Sequence, residues 1–149
     1  MPEYNLSEVK NNPKLLIQAK IQKMLRMEGR KFPSLEKIRT ASQLFREFDV
    51  FEKKKDDLGI SIFRDIICLE FAKAISRKSN LEIKDSFRMV KSAINMKTAR
   101  VLLDKDAVRT KDAVLFQLRP EIYREIENHF IKQIKAGAKK LQLPRRYQE

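Results

Sequence analysis

The stretch from residue 60 to residue 76 constrains the fold more than any other part of this chain. When it is drawn as a helix, apolar side chains occur on every side of the wheel, and a helix that is apolar all round is buried all round. We therefore predict a central helix over residues 60–76, with the remaining elements packed around it. Its apolar positions are Ile62, Phe63, Ile66, Ile67, Cys68, Leu69, Phe71, Ala72 and Ile75.

Four further amphipathic patterns predict helices around this centre, so the chain should be mainly α with about five helices. In three of them apolar residues recur at spacings of three and four, as on a helix with one buried face, whereas in the first they spread over more than half of the circumference. The first helix is expected at 13–28, and the last should start at Pro120 and run to about Leu141. The other two stripes are Ile38, Ala41, Phe45 and Phe48 in the second helix, and Ile83, Phe87, Val90 and Ile94 in the fourth, where Ser79 and Glu82 have the spacing of a capping box.

The pattern changes near residue 98, where two short runs rich in Val and Leu flank a charged loop. Residues 99–103 and 113–118 fit two antiparallel strands. They would form a β-hairpin over 99–118 after the fourth helix, as in a winged-helix domain. The loop has no Gly or Asn and both runs contain good helix formers, so a continued helical bundle is the alternative.

The chain is expected to form a single domain over residues 1–149. A helical part (1–97) would be followed directly by the hairpin and the C-terminal helix (98–149), because no linker-like or repeated segment separates them. Three Gly and five Pro among 149 residues are too few for collagen or a turn-rich β-sandwich.

Cysteine content and hydropathy indicate the cellular setting. The single Cys cannot form an internal disulfide, and no apolar run reaches the roughly 18 residues of a membrane span or has the form of a secretory signal. We expect an intracellular protein, located in the cytoplasm or in a nucleoid or nucleus, that does not contact a membrane.

No catalytic or cofactor-binding motif is present. The sequence lacks a GxxxxGK[ST] phosphate loop, GxGxxG, HExxH and paired CxxC. His129 is the only histidine, so no two imidazoles can share a zinc ion within one chain. The aspartates at 56–57 and within 104–112 are interleaved with Lys and fall at expected loops. We therefore expect no enzymatic activity, no metal, no cofactor and no small-molecule substrate.

The net charge of +13, with a pI near 10, favours a polyanionic partner. Residues 36–72, which include most of the central helix, are close to neutral, whereas residues 73–111 carry the largest basic excess. The cations therefore belong to the elements around the core. There they would lower the free energy of approaching a phosphate backbone and release its counterions.

Three groups of cations are predicted to form a nucleic-acid-binding surface. Lys84, Arg88 and Lys91 repeat on the face of the fourth helix opposite its apolar stripe. With the preceding helix, this arrangement resembles a helix-turn-helix; the alternative is a basic face that only contacts solvent. The other groups are Lys105, Arg109 and Lys111 at the tip of the predicted hairpin, and Lys135, Lys139, Lys140, Arg145 and Arg146 at the C-terminus.

These features predict a non-catalytic nucleic-acid-binding protein that contacts the phosphate backbone. DNA is favoured over RNA as the ligand. The alternative is a helical scaffold or small subunit of a multi-protein nucleic-acid-processing complex, or a homodimer, because the Phe and Met content suggests more apolar surface than one small core buries. In size, charge and helicity the chain is similar to small helical subunits of CRISPR effector complexes, and its layout resembles replication subunits of the GINS type. Neither resemblance transfers site residues.

Overall fold

The computed structural model describes residues 11–32, 40–95 and 120–148, and within these ranges the chain is mainly helical and has no β-strand. The hairpin predicted over 99–118 lies outside the described residues, and no described element supports a winged-helix arrangement. The described ranges contain the helices α1 (Pro13–Leu25), α2 (Ala41–Lys53), α3 (Asp57–Ser79), α4 (Ile83–Lys91) and α5 (Pro120–Lys135), followed by a short 3-10 helix, Arg145–Tyr147.

Helix α3 is the predicted central helix, longer at both ends than expected. It contacts α1, α2, α4 and α5, and side chains on all of its sides are buried, Phe63 and Phe71 among them. It begins early because the backbone N–H of Gly59 donates to Oδ1 of Asp56 at 3.1 Å, which caps the helix. It ends where Asn80 adopts a left-handed conformation. The central position that the wheel predicted is confirmed.

Helices α1 and α2 both start at capping residues. Oδ1 of Asn12 accepts a hydrogen bond from the N–H of Lys14 at 3.1 Å, so α1 begins where predicted, although it ends at Leu25 instead of residue 28. Helix α2 begins at a capping box formed by Thr40 and Gln43, which the sequence analysis did not identify. Ile38, the first residue of its predicted apolar stripe, lies outside the described residues.

Helix α4 buries its predicted apolar stripe against α3, but the capping box expected for it is wrong. Phe87 and Val90 are buried as predicted. Ser79 is the last residue of α3 and is not a cap for α4. The N-cap of α4 is Glu82, whose side chain makes no capping hydrogen bond. Contact with α3 therefore holds this nine-residue helix, since so short a helix has little stability by itself.

Helix α5 ends at Lys135, one and a half turns before the predicted end near Leu141. Gly137 adopts a φ of 84°, and the N–H of Ala138 donates to the carbonyl of Gln133 at 3.0 Å. This backbone pattern is the left-handed glycine stop that ends many helices. Leu141 is nevertheless buried, because the chain folds back toward the core after the stop.

The C-terminal strap, defined as residues 139–148, lies along α5. The N–H of Gln142 donates to Oε1 of Gln133 at 2.9 Å, and the hydroxyl of Tyr147 donates to Oε2 of Glu125 at 2.9 Å. Later strap residues contact earlier residues of α5, so the strap runs antiparallel to the helix. The last helix was predicted to continue to about Leu141, whereas residues 139–144 are non-helical and pack against α5 and the core.

Gly59 is the one position in α3 where a close approach requires glycine. A Cβ atom at this position would lie 2.5 Å from Cδ1 of Phe51 in α2. We expect Gly59→Ala to lower the free energy of unfolding by about 2 kcal/mol, because overpacking outweighs the gain in helix propensity. Denaturant unfolding checks this value. Adding Phe51→Leu should recover part of the loss, and an unchanged midpoint for Gly59→Ala alone would contradict the prediction.

Candidate nucleic-acid interface

Two of the three predicted cations of α4, Lys84 and Arg88, are already paired with carboxylates at the start of the same helix. Nζ of Lys84 lies 3.3 Å from Oε2 of Glu82, and Nη2 of Arg88 lies 3.4 Å from Oδ1 of Asp85. The Arg88 side chain is 76% exposed. Exposed pairs of this kind contribute little free energy, so a phosphate can displace the carboxylate. Arg88 therefore stays available to a polyanion.

Lys91 points inward toward α3 and does not lie on the outer face where the periodicity placed it, so its part in binding stays a prediction. Its Nζ lies 2.9 Å from Oδ1 of Asp65, whose side chain is 1% exposed, and 5.1 Å from the centroid of the Phe87 ring. Removing this ammonium would leave a buried carboxylate short of a partner. The periodicity placed Lys91 beside Arg88, but the buried charge on α3 determines the direction of its side chain.

Asp65 is the centre of a buried polar cluster that the sequence analysis missed. Nζ of Lys20, in α1, lies 2.5 Å from Oδ2 of Asp65 and 2.7 Å from Oγ of Ser61. With Lys91 from α4, the carboxylate bridges three helices. The available signal was an acid in a helix with apolar residues on every side, because a buried carboxylate requires a cation. The identity of that cation depends on packing.

The guanidinium of Arg64 extends the same cluster to the end of α4. Nε of Arg64 donates to the carbonyl of Ile94 at 3.1 Å, and Nη2 donates to the carbonyl of Lys91. These contacts satisfy carbonyls that the end of a helix leaves without partners.

Cys68 lies beside these groups and is buried, as predicted. Burial raises the pKa of its thiol to about 12, with Arg64 and Lys91 opposing the shift and Asp65 adding to it. The thiol is therefore protonated at neutral pH and packs as a small apolar group.

Four of the five predicted C-terminal cations are exposed and lack an ion-pair partner in the part of the chain that the structure describes. These four are Lys135, Lys139, Lys140 and Arg145. Lys132 has the same properties, although it was not among the predicted binding residues. We call Lys132, Lys135, Lys139, Lys140 and Arg145 the C-terminal basic surface.

Arg146 differs from its neighbours because it is paired within the protein. Its guanidinium forms an ion pair with Glu125 and lies 4.9 Å from the ring centroid of Tyr147. The side chain is still 64% exposed. Arg146 therefore holds the strap on α5, and its predicted role in binding nucleic acid stays a prediction.

The strap also joins α5 to the end of α4. The N–H of Leu141 donates to Oγ of Ser92 at 3.2 Å. Lys140 therefore lies one residue from this hydrogen bond, and Arg88 lies one helical turn before Ser92. One member of each of two predicted cation groups thus lies within about one helical turn of this junction in sequence. The third group, Lys105, Arg109 and Lys111, lies outside the described residues.

The described ranges contain neither a group of three potential metal ligands nor a helix that could span a membrane. Asp56, one of the aspartates assigned to a loop, caps α3 and forms an ion pair with Arg30.

Comparison of the chain with protein-family models, curated proteins and solved structures found no significant match.

Proposed function

We propose that this protein binds nucleic acid without catalysis, through phosphate contacts made by the C-terminal basic surface and Arg88. One observation carries the proposal: five exposed cations without ion pairs among the described residues lie on the last turns of α5 and on a strap that hydrogen-bonds to the end of α4. We propose duplex DNA, contacted through its phosphate backbone, as the ligand. RNA is the alternative polymer.

Exposure and lack of pairing favour a phosphate ligand for a physical reason. A lysine that pairs with a buried carboxylate, as Lys91 does, would have to leave that carboxylate before it could contact DNA. Lys139 and Lys140 have no such partner in the described residues, so each phosphate that they neutralise releases counterions without breaking an internal contact. The C-terminal group is therefore the stronger part of the predicted site.

The alternative role, as a subunit of a larger assembly, has one observation in its favour. Leu25, Met27 and Val50 are large apolar side chains that are exposed near the ends of α1 and α2. They would be the residues to contact a protein partner. The Phe content, by contrast, gives this role little support, because most of the described Phe side chains are buried in the core and are not available to a partner.

The test is the salt dependence of binding by the isolated chain. Anisotropy of a labelled duplex of random sequence should give a log K that falls with log salt concentration by roughly 0.9 for each phosphate contact, and so by about 4 to 5 for the five cations. A single strand and an RNA duplex of equal length identify the preferred polymer. No binding by the isolated chain, with binding only after partner proteins are added, would favour the assembly role.

A further inference from the structure

The side-chain amide of Gln133 makes a two-sided contact with the backbone of the strap. Its Oε1 accepts from the N–H of Gln142 at 2.9 Å, and its Nε2 donates to the carbonyl of Gln142 at 2.8 Å. The same Nε2 also donates to the carbonyl of His129, one turn earlier in α5, at 3.2 Å. The amide therefore pairs with one strap residue as a neighbouring β-strand would, although no strand is present there.

This contact lies between the cations that the strap carries. Lys139 and Lys140 precede Gln142, and Arg145 follows it. Leu141 and Leu143, on either side of Gln142, are buried in the core. Two apolar side chains and one amide pair thus fix the middle of the strap, while the cations on both sides stay exposed.

We propose that Gln133 is a positioning residue for nucleic-acid binding, which orders the strap so that Lys139, Lys140 and Arg145 are held in place before the ligand arrives. This inference rests on the proposed function and names what organises its site. A strap without the amide pair would sample more conformations when free. Binding would then include the loss of that freedom, as it does for any ligand contact made by a disordered segment.

The consequence for binding can be separated from the loss of a phosphate contact. Gln133 carries no charge, so its removal leaves the number of cations that reach phosphates unchanged. The line of log K against log salt should therefore shift downward in parallel, by roughly tenfold at every salt concentration, for the loss of two neutral hydrogen bonds. Removal of a lysine would instead reduce the slope.

The chain offers a matched pair of variants. Gln133→Ala removes both hydrogen bonds to the strap and replaces Gln with a better helix former. Gln142→Ala makes the same chemical change but preserves the backbone N–H and carbonyl to which Gln133 binds. The side chain of Gln142 is exposed, so this second variant should behave as the unmodified protein.

Hydrogen exchange and salt-dependent DNA binding should be measured on both variants of the full chain. For Gln133→Ala we expect exchange of the backbone amides in residues 141–148 to rise by roughly tenfold, exchange in α1 to α4 to stay unchanged, and DNA affinity to fall by the parallel shift. Gln142→Ala should change none of these. Unchanged strap exchange in Gln133→Ala would overturn the inference, and so would faster exchange with unchanged affinity or with a reduced slope.

Failure of the proposed function gives a different result. If the unmodified protein binds no DNA or RNA at any salt concentration, the proposed function is wrong, and the inference that Gln133 positions a nucleic-acid site is wrong with it. If the unmodified protein binds and Gln133→Ala binds equally well, only the positioning role is rejected.

Discussion

Replacing Asp65 with Asn should lower the free energy of unfolding by about 3 kcal/mol, because it removes the charge that two lysines share inside the protein. The Asp65 side chain is 1% exposed, and Lys20 and Lys91 contact its two oxygens from α1 and α4. The lysine side chains are 23% and 27% exposed, so their ammonium groups can partly turn to water. This relief places the expected loss at the lower end of the range for a broken buried pair.

Chemical denaturation with a control on the same helix checks this prediction. Glu70 pairs with Lys73 at 3.1 Å, but both side chains are substantially more exposed than Asp65. Glu70→Gln should therefore cost about 0.5 kcal/mol or less. Equal losses for Asp65→Asn and Glu70→Gln would contradict the account of a buried charge cluster.

An apolar replacement of the whole cluster provides a second check. Combining Asp65→Leu with Lys20→Met and Lys91→Met removes all three charges together, so no unpaired charge remains. Such replacements are often neutral or stabilising. The triple variant should be more stable than Asp65→Asn alone. A triple variant less stable than Asp65→Asn would mean that the cluster has a role beyond mutual charge compensation.

Neutralising three cations of the C-terminal basic surface should reduce DNA affinity by about 100-fold at physiological salt. The salt slope should fall by about 2.7, because each lost phosphate contact removes roughly 0.9 from it. The variant combines Lys135→Gln, Lys139→Gln and Arg145→Gln. All three side chains are exposed and make no ion pair within the described residues, so folding should be unaffected. Fluorescence anisotropy over a salt series measures both quantities.

A variant with the same change in net charge elsewhere separates local contacts from general attraction. Lys23→Gln, Arg26→Gln and Lys53→Gln also remove two lysines and one arginine, from exposed positions at the ends of α1 and α2. For this control we expect the slope of log K against log salt to change by less than the roughly 0.9 that one phosphate contact contributes. Equal effects of the two triple variants would mean that the protein attracts DNA by its net charge and has no localised C-terminal site.

Local patterns in the sequence were sufficient for the central helix and for the stripes that pack against it. The all-round apolar wheel gave the buried position of α3, and spacings of three and four gave the buried Phe87 and Val90 of α4. Helix ends were harder to predict. The end of α5 before Gly137 was not predicted, because the apolar spacing continues to Leu141. Leu141 is buried as the spacing suggests, but it belongs to the strap and not to the helix.

The direction of a cationic side chain was not predictable from periodicity. Arg88 and Lys91 lie on the same predicted face, yet Arg88 is 76% exposed and Lys91 pairs with Asp65. A long lysine side chain can reach either solvent or a buried carboxylate. Its direction depends on whether a neighbouring helix places a carboxylate within reach. The same reason separates Arg146, paired with Glu125, from Arg145.

The sequence by itself determined the helical class, the central position of α3 and the surplus of cations outside the core, because hydrophobic periodicity and charge are properties of the chain. Only the tertiary structure decided which cations remain accessible, how Asp65 is compensated and where the residues after Gly137 lie. Those outcomes depend on contacts between residues far apart in sequence, such as Lys20 with Asp65 and Leu141 with Ser92. A local sequence pattern does not predict such pairings, because it covers only residues that are close together in the chain.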